Sequence, residues 1–529
     1  MNTQIAILST IIAAYLCVIA LLSWIAWKRS KNSNDYLVAG RKAHPFVMAM
    51  SYGAAFISTS AIIGFGGMAA KFGLGLLWLP FMNIAVGILL AFLLFGKRTR
   101  QIGSALGART FPEFLGLRFG SKTIRRFTAL VIFLVMPLYA SAVLSGGARV
   151  LESFMDYDTA LIAFAVIIAI YVTMGGMKGV MYVDSFMGVI MIFGMTALLV
   201  TTYSELGGFV SVHEKLSNMA HLVPAALAEQ GHRGWTAMPE INSECWWMLV
   251  SSLILGVGIG ALAQPQLAVR FMTVSSGKQL NRAILVGSIF ILMTAGFAYM
   301  IGALSNVWYY EEHGKIALDM AGGNADAVMP MFIKNAMAPW FYYVFTVTLL
   351  SAGMSTLSSL LHVIGSSLGN DLLGDIADRK NISRVKLTKF GIIAGIIATV
   401  AIACVLPGSI IARVTAMFFG ICAAAFLPAY FAALYSRRTT RTGLWASIIS
   451  GSAVCIFATL FMHRAESAPL GICKMIFGKS ELFGIDPWPF IDPLVFALPV
   501  SIIMLIAGSC FGKPCNNPYD VTKKGNQDD

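Results

Sequence analysis

The chain has 529 residues, 57% of them hydrophobic and only 12% charged, with a mean hydropathy of +0.76. An ordinary soluble domain is about 25% charged, so this composition excludes a water-covered globular enzyme, a disordered chain and a nucleic-acid binder. The formal net charge of +13 reads as a topology signal, because Lys and Arg gather on the cytoplasmic side of membrane proteins.

Residues 5–27 form an apolar run longer than the 7–15-residue core of a signal peptide, and they read as a first membrane span that stays. A helical crossing needs about 20 mostly apolar residues. Thirteen runs meet that need: 5–27, 46–69, 74–96, 127–148, 159–174, 183–203, 246–269, 280–304, 339–370, 387–407, 409–435, 442–462 and 488–511. Only helices or closed barrels satisfy their backbone groups in lipid, so the expected class is an all-α integral membrane protein. The run 159–174 is short, and Pro407-Gly408 makes a tight junction.

The loops test the count. With the N-terminus outside and the C-terminus cytoplasmic, the inner segments hold most of the 38 Lys and Arg residues. The clusters Lys28-Arg29, Lys97-Arg98, Arg125-Arg126 and Arg437-Arg438 each fall at an expected inner helix end, as the positive-inside rule requires. The largest loop, 204–245, is outside and has room for a short helix or a cap. The tail 512–529 is polar. No segment is long enough for an attached catalytic or ATPase module. The eight Cys contain no C-x-x-C pair, and Cys17, Cys404, Cys422, Cys455 and Cys510 fall in apolar runs. They read as small buried hydrophobes rather than a disulfide framework or a metal site.

Polar and small residues inside apolar runs then mark the working parts. Run 46–69 carries Ser58, Thr59 and Ser60 in succession, followed by Gly64, Gly66 and Gly67. Hydroxyls compete for backbone hydrogen bonds and Gly weakens a helix, so a local unwinding here would turn carbonyls toward a cation. Close helix packing through small residues is the other reading. Run 246–269 has a parallel feature, Gly256-Val-Gly-Ile-Gly260 followed by Gln264-Pro265-Gln266. Two interrupted spans five spans apart point to a transporter built from inverted repeats, with broken helices meeting at the bilayer midplane. In run 339–370, Ala352, Ser355, Thr356 and Ser359 share one helical face. Uncharged oxygens suit a monovalent hard cation, whereas a divalent ion would call for carboxylates. Interhelical hydrogen bonding is the alternative there.

At these residues the chain resembles the sodium:solute symporter family. Asp35-Tyr36-Leu37-Val38-Ala39-Gly40-Arg41 is similar to the family's stretch between its first two helices, and run 46–69 to its unwound first core helix. Tyr171, Gly175-Gly176-Met177-Lys178-Gly179-Val180 and Asp184 resemble the signature between the fourth and fifth core helices. Gln264-Pro265-Gln266 with Arg270 resembles the end of the sixth, and Ser351 to Thr356 through Asn370-Asp371 the eighth. The resemblance implies inverted five-helix repeats with broken first and sixth core helices. It implies a sodium ion held by the carbonyls of Ala54, Ile57 and Ala352 and the hydroxyls of Ser355 and Thr356. It also places Asp184 on the ion pathway; a helix N-cap is the competing role.

Val183 stands where the family often has Thr, Met187 where it often has Gln, and Phe56 where the proline and sugar branches have a polar residue. The stretch 56–64 leans instead to the branches that carry acetate, other monocarboxylates or pantothenate. Thr59, Ser60, Asn83 and Gln264 are the expected solute contacts. The implied organisation is 1–45 as an extra helix and cytoplasmic loop, 46–203 and 246–435 as the two repeats around loop 204–245, 436–511 as two added helices, and 512–529 as a tail. The expected activity is sodium-coupled symport of a small organic acid by alternating access, with no enzyme chemistry. Its partners are the solute, the sodium ion and the lipid bilayer of a cell (inner) membrane, with no nucleic acid and a monomer or weak homo-oligomer. The rival readings are proton coupling through His362 or Asp184, a proline-like amino-acid symporter, and a transporter-like solute sensor.

Overall fold

A computed structural model of the chain describes residues 2–152, 155–405 and 411–512. The Pro407-Gly408 junction, Cys515 and the tail beyond residue 512 lie outside the described residues. Among the described residues the chain is helical from end to end, and eleven helices are long and apolar enough to cross a membrane. The expected count of thirteen is not confirmed, and the reason is local. Runs 159–174 and 183–203 lie in one 49-residue stretch, Tyr157–Glu205. At 1.5 Å per residue such a stretch spans about 70 Å, more than twice a hydrocarbon core. It is interrupted at Gly176 (φ 57°, ψ −158°), which divides it near the middle. Run 46–69 is split differently: Pro45–Phe56 is only 12 residues long, and the chain beyond Ile57 runs on into 74–96 within Ser60–Leu106.

The apolar residues sort into two populations. Large side chains such as Leu134, Phe193, Ile397 and Ile506 face outward, as lipid-facing positions do. The helix Pro339–Ser366 lies in the centre and is buried over almost its whole length. It packs against Tyr157–Glu205, against Lys122–Leu151 and against Pro45–Phe56. The N-terminal helix Asn2–Arg29 leaves Trp24 and Trp27 exposed beside Lys28, whose ammonium sits 3.7 Å from the Trp24 ring centroid. Aromatic and basic residues at one end of a span are the signature of a membrane interface. The seven described cysteines are free, and Cys17, Cys404 and Cys510 are exposed on the outer surface of the bundle rather than buried as their apolar runs suggest.

Loop 204–245 forms short helices at Phe209–Asn218, Met219–Leu222 and Ala225–Glu229. It is anchored by Trp235, whose indole N–H donates to the Ala70 carbonyl at 2.8 Å. The Trp235 carbonyl in turn accepts from Leu74 N at 2.7 Å. The loop therefore closes over the far end of the first broken helix.

Candidate functional site

The first interruption begins where a helix stops for lack of backbone partners. Pro45–Phe56 is capped by His44 and ends at Ile57, which is extended (φ −91°, ψ 108°). Ser58 then starts the next segment. Its Oγ accepts from Ser60 N at 3.1 Å, and its carbonyl accepts from Ala61 N at 3.0 Å. The hydroxyl thus substitutes for a helical carbonyl, the competition expected of Ser in a helix. A π-helical turn, Ser60–Gly64, and the helix Phe65–Phe72 follow.

The nearby glycines have another task. A methyl group on Gly67 would lie 1.9 Å from the Ala325 carbonyl oxygen, and one on Gly66 2.7 Å from Met329 Cγ. These residues let backbones touch, while the break itself belongs to 57–59. The second interruption lies at Gln264 (φ −73°, ψ 118°), between Ala261–Ala263 and Pro265–Phe271. Pro265 lacks the N–H that would continue the ladder.

Four of the five expected ion ligands meet at the first break. Ser355 Oγ lies 2.9 Å from the Ala54 carbonyl and 3.2 Å from the Ala352 carbonyl, and Thr356 Oγ1 lies 3.2 Å from the same Ala54 oxygen. All four residues are fully buried. Ala54 would be bonded by residue 58 in a continuous helix; instead it faces the two hydroxyls of the central helix. Ile57 carries the fifth carbonyl at the point where the ladder ends, and among the described residues no hydrogen bond joins it to Ser355 or Thr356. Two hydroxyls and two carbonyls bring more lone pairs than protons to one point. That donor set suits a monovalent hard cation and offers no carboxylate for a divalent one.

One and two turns further, a charged pair is buried beside this cluster. Asp184 and Arg270 have no exposed surface, and Arg270 Nη2 lies 2.9 Å from Asp184 Oδ2. Ser51 Oγ donates to Asp184 Oδ2 at 2.9 Å and accepts from Arg270 Nε at 3.0 Å. Ser358 Oγ is 3.2 Å from Asp184 Oδ1, and Ser359 Oγ is 2.5 Å from Arg270 Nη2. Both serine hydroxyls also lie 2.9 Å from the Ser355 carbonyl. Hydroxyls on successive turns of one helix therefore link the oxygen cluster to the ion pair. Asp184 caps no helix; it sits inside Tyr157–Glu205, eight residues past the Gly176 interruption.

The expected solute contacts divide. Thr59 Oγ1 donates to the Val143 carbonyl at 2.9 Å, so its hydroxyl is engaged in packing. Ser60 Oγ, Asn83 Oδ1 and Gln264 Nε2 are buried without a partner, as is Gln266 Oε1. Gln266 Nε2 donates to Gln264 Oε1. Asn83 lies between Met82 and Gly87, which pack on Gly258 and Ala261 just before the second break. The ring of Phe56 stacks on Phe419 (centroids 6.2 Å apart), and Tyr139 on Phe418 (4.9 Å), so aromatic faces adjoin the first break. His362 lies two turns beyond Ser355, with its ring 5.7 Å from that of Tyr36 and no hydrogen bond to the oxygen cluster.

Ser51, Ser358, Gln266 and Arg270 are site residues that sequence reasoning does not single out for these roles. Arg270 carries a signal: a lone arginine beside an interrupted apolar run has to find a buried partner. Ser51 and Ser358 carry none, since serines are common wherever membrane helices pack.

Known proteins place this geometry in context. A family model described as the sodium:solute symporter family matches residues 36–451. The osmoregulated proline transporter OpuE of Bacillus subtilis is 28% identical over 478 residues, covering 88% of this chain and 92% of that protein. The sodium/proline symporter of Escherichia coli is 27% identical, with 84% and 86% covered. The sodium/pantothenate symporter of Haemophilus influenzae is 27% identical, with 85% and 90% covered. Among solved structures, a Na+-coupled sialic acid symporter in a substrate-bound outward-open state superposes with a TM-score of 0.73 at 18% identity, over 97% of this chain and 99% of that one. That likeness establishes the fold as the all-α transporter architecture of inverted five-helix repeats with broken first and sixth core helices.

Proposed function

The chain belongs to the sodium:solute symporter family, and from that premise we propose that it carries a small organic acid, a monocarboxylate or a pantothenate-like solute, into the cell with sodium. Sodium coupling of a small solute follows from the family; the solute class and the residues are our reading. The convergence of Ala54, Ala352, Ser355 and Thr356 on one point carries the reading of the ion site. Sodium arriving there exchanges water for these four oxygens and the Ile57 carbonyl, and ties the broken helix to the central one. The solute then binds beside the break. When the central helix moves away the ion loses its hydroxyl ligands and departs past Asp184. A membrane potential adds about 2.3 kcal/mol per charge per 100 mV to inward ion movement. That energy concentrates a solute tens-fold, because about 1.4 kcal/mol is a factor of ten.

Ser60, Asn83 and Gln264 supply neutral donors and acceptors without internal partners. Leaving them unpaired costs free energy, and a solute with a carboxylate and a further hydroxyl or amide group would satisfy them. A second reading, a proline-like substrate, is favoured by the proline transporters among the relatives. Uptake into proteoliposomes under an inward sodium gradient tests both, using acetate, longer monocarboxylates, pantothenate, proline and a sugar. Accumulation of an organic acid and not of proline is expected; proline accumulation alone would replace the first reading with the second. In the same assay Ser355→Ala and Thr356→Ala should each raise the sodium concentration for half-maximal uptake about tenfold, the effect of losing one ion-facing hydroxyl. Unaltered sodium dependence in both would remove the assigned ligands.

A further inference from the structure

A second buried ionisable cluster lies outside residues 36–451. After the helix Arg441–Phe461 the chain folds into Arg464–Leu470 and returns through the helix Pro493–Cys510. His463, Glu466 and Asp492 are all buried at these turns. His463 Nδ1 bonds Glu466 Oε2. Asp492 caps the last helix, with Oδ1 accepting from Leu494 N at 2.8 Å, and its own N–H donates to Ser251 Oγ at 3.1 Å.

The position of Asp492 is unusual. A methyl group on Gly256 would lie 3.5 Å from Asp492 Oδ2, and one on Gly420 3.6 Å from Oδ1. Gly256 is eight residues before the Gln264 break. Gly420 adjoins Phe419, the ring that stacks on Phe56 at the other break. One carboxyl group is thus wedged against both helices that frame the proposed solute site.

We infer that His463, Glu466 and Asp492 form a proton-binding site, separate from the coupling-ion site, that fastens the C-terminal helices to the two helices framing the solute site. Among the described residues, charged groups approach it from several elements, Asp486 on the chain before the last helix among them. Arg413 approaches from Ile411–Tyr435 and donates to the Ala465 carbonyl at 3.1 Å. Arg464 is paired with Glu481 at 2.7 Å, and Glu244 acts on Arg464 from the start of the second broken helix. Cys455 is the titratable group on Arg441–Phe461 that faces Asp492. The imidazole is bonded to Glu466 and acts on Asp492 through its charge. Burial pushes the Asp492 carboxyl up to about 6, against the pull of the His463 cation. Burial works to lower the His463 imidazole as well, but Glu466 and Asp492 outweigh it and hold it above its ordinary value.

Both shifts have the same sign for folding. A group whose folded-state value is raised contributes stability that is complete below its unfolded value and is lost as pH rises through the folded one. For Asp492 that window runs from about 4, the ordinary carboxyl value, to about 6. Mild acid on this face therefore tightens the C-terminal helices against the transport core, and neutral pH loosens them by leaving a desolvated charge between Gly256 and Gly420.

Thermal unfolding of the purified full chain in detergent, at pH 5 and pH 7.5, tests this without a known solute. The wild-type midpoint should be a few degrees higher at pH 5. Asp492→Asn keeps an acceptor for Leu494 N and removes the charge. It should raise the midpoint at pH 7.5 and remove the Asp492 share of the pH dependence, leaving the part that the Glu466-bound His463 imidazole contributes. A lower midpoint at pH 7.5, or wild-type pH dependence in this variant, would overturn the inference. His463→Gln gives a second reading if the first variant does not fold. Without the imidazolium, protons bind the carboxylates more tightly, so the pH dependence should move to higher pH, and an unmoved transition would also overturn it.

Discussion

Asp184 and Arg270 each need the other. An isolated buried charge costs several kcal/mol, and removing one member of a buried pair typically destabilises by about 3–5 kcal/mol because the other is left uncompensated. Here Arg270 also donates to the Gln266 carbonyl at 2.7 Å, so the guanidinium links the second broken helix to Ser51 of the first and to Ser359 of the central one. Asp184→Asn and Arg270→Gln should each lower the thermal midpoint sharply. The double variant should lose clearly less than the sum of the two, since it leaves no charge stranded. A double-mutant cycle in detergent measures this; strictly additive losses would mean that the pair has no coupling of its own. Asp184 is legible in the sequence because a motif carries it. Its partnership with Arg270 is not, because residues 86 apart in sequence carry no periodic relation that would align them.

Helices in this chain are broken by different means, and the sequence marks some of them better than others. Ser58-Thr59-Ser60 and Gln264-Pro265 signal the two core breaks, and both occur where hydroxyl or proline chemistry interrupts the ladder. The glycine runs beside them look like further weakening but are contact surfaces, which only three-dimensional neighbours such as Ala325 reveal. Gly176 is the opposite case. Its φ of 57° with ψ of −158° belongs to a region open in practice only to glycine, and a methyl group there would lie 2.6 Å from the Tyr36 ring. Its neighbour Gly175 is helical, and the nearest atom to an added methyl group is 3.7 Å away. Gly176→Ala should therefore cost at least about 1–3 kcal/mol in backbone strain alone and depress both the thermal midpoint and the folded yield. Gly175→Ala should leave the midpoint within a degree or two or raise it, since Ala is the better helix former by about 1 kcal/mol. Equal effects of the two substitutions would show that the interruption at 176 is not the divide between the two crossings in Tyr157–Glu205.

Over the whole molecule, membrane orientation is set by where charge accumulates. Lys28 and Arg29 end the first helix, and the network of Arg109, Glu113, Arg125 and Asp371 gathers with Arg126–Asp375 and Arg384–Asp378 at one end of the bundle. Loop 204–245 and the His463–Glu466–Asp492 cluster lie toward the opposite end, where Glu244 starts the second broken helix. Positive charge marks the cytoplasmic face, so the N-terminus should be outside and the acid-binding cluster should sample the external medium. Ala228 in the loop and Lys380 at the basic end are both exposed. In a background with all eight cysteines replaced, a membrane-impermeant maleimide should label Ala228→Cys in intact cells, and Lys380→Cys only after permeabilisation. The inverse pattern would turn the molecule over. It would make the inferred proton site respond to cytoplasmic rather than external acid, and sodium entering from outside would then meet Asp184 before it reached Ser355 and Thr356.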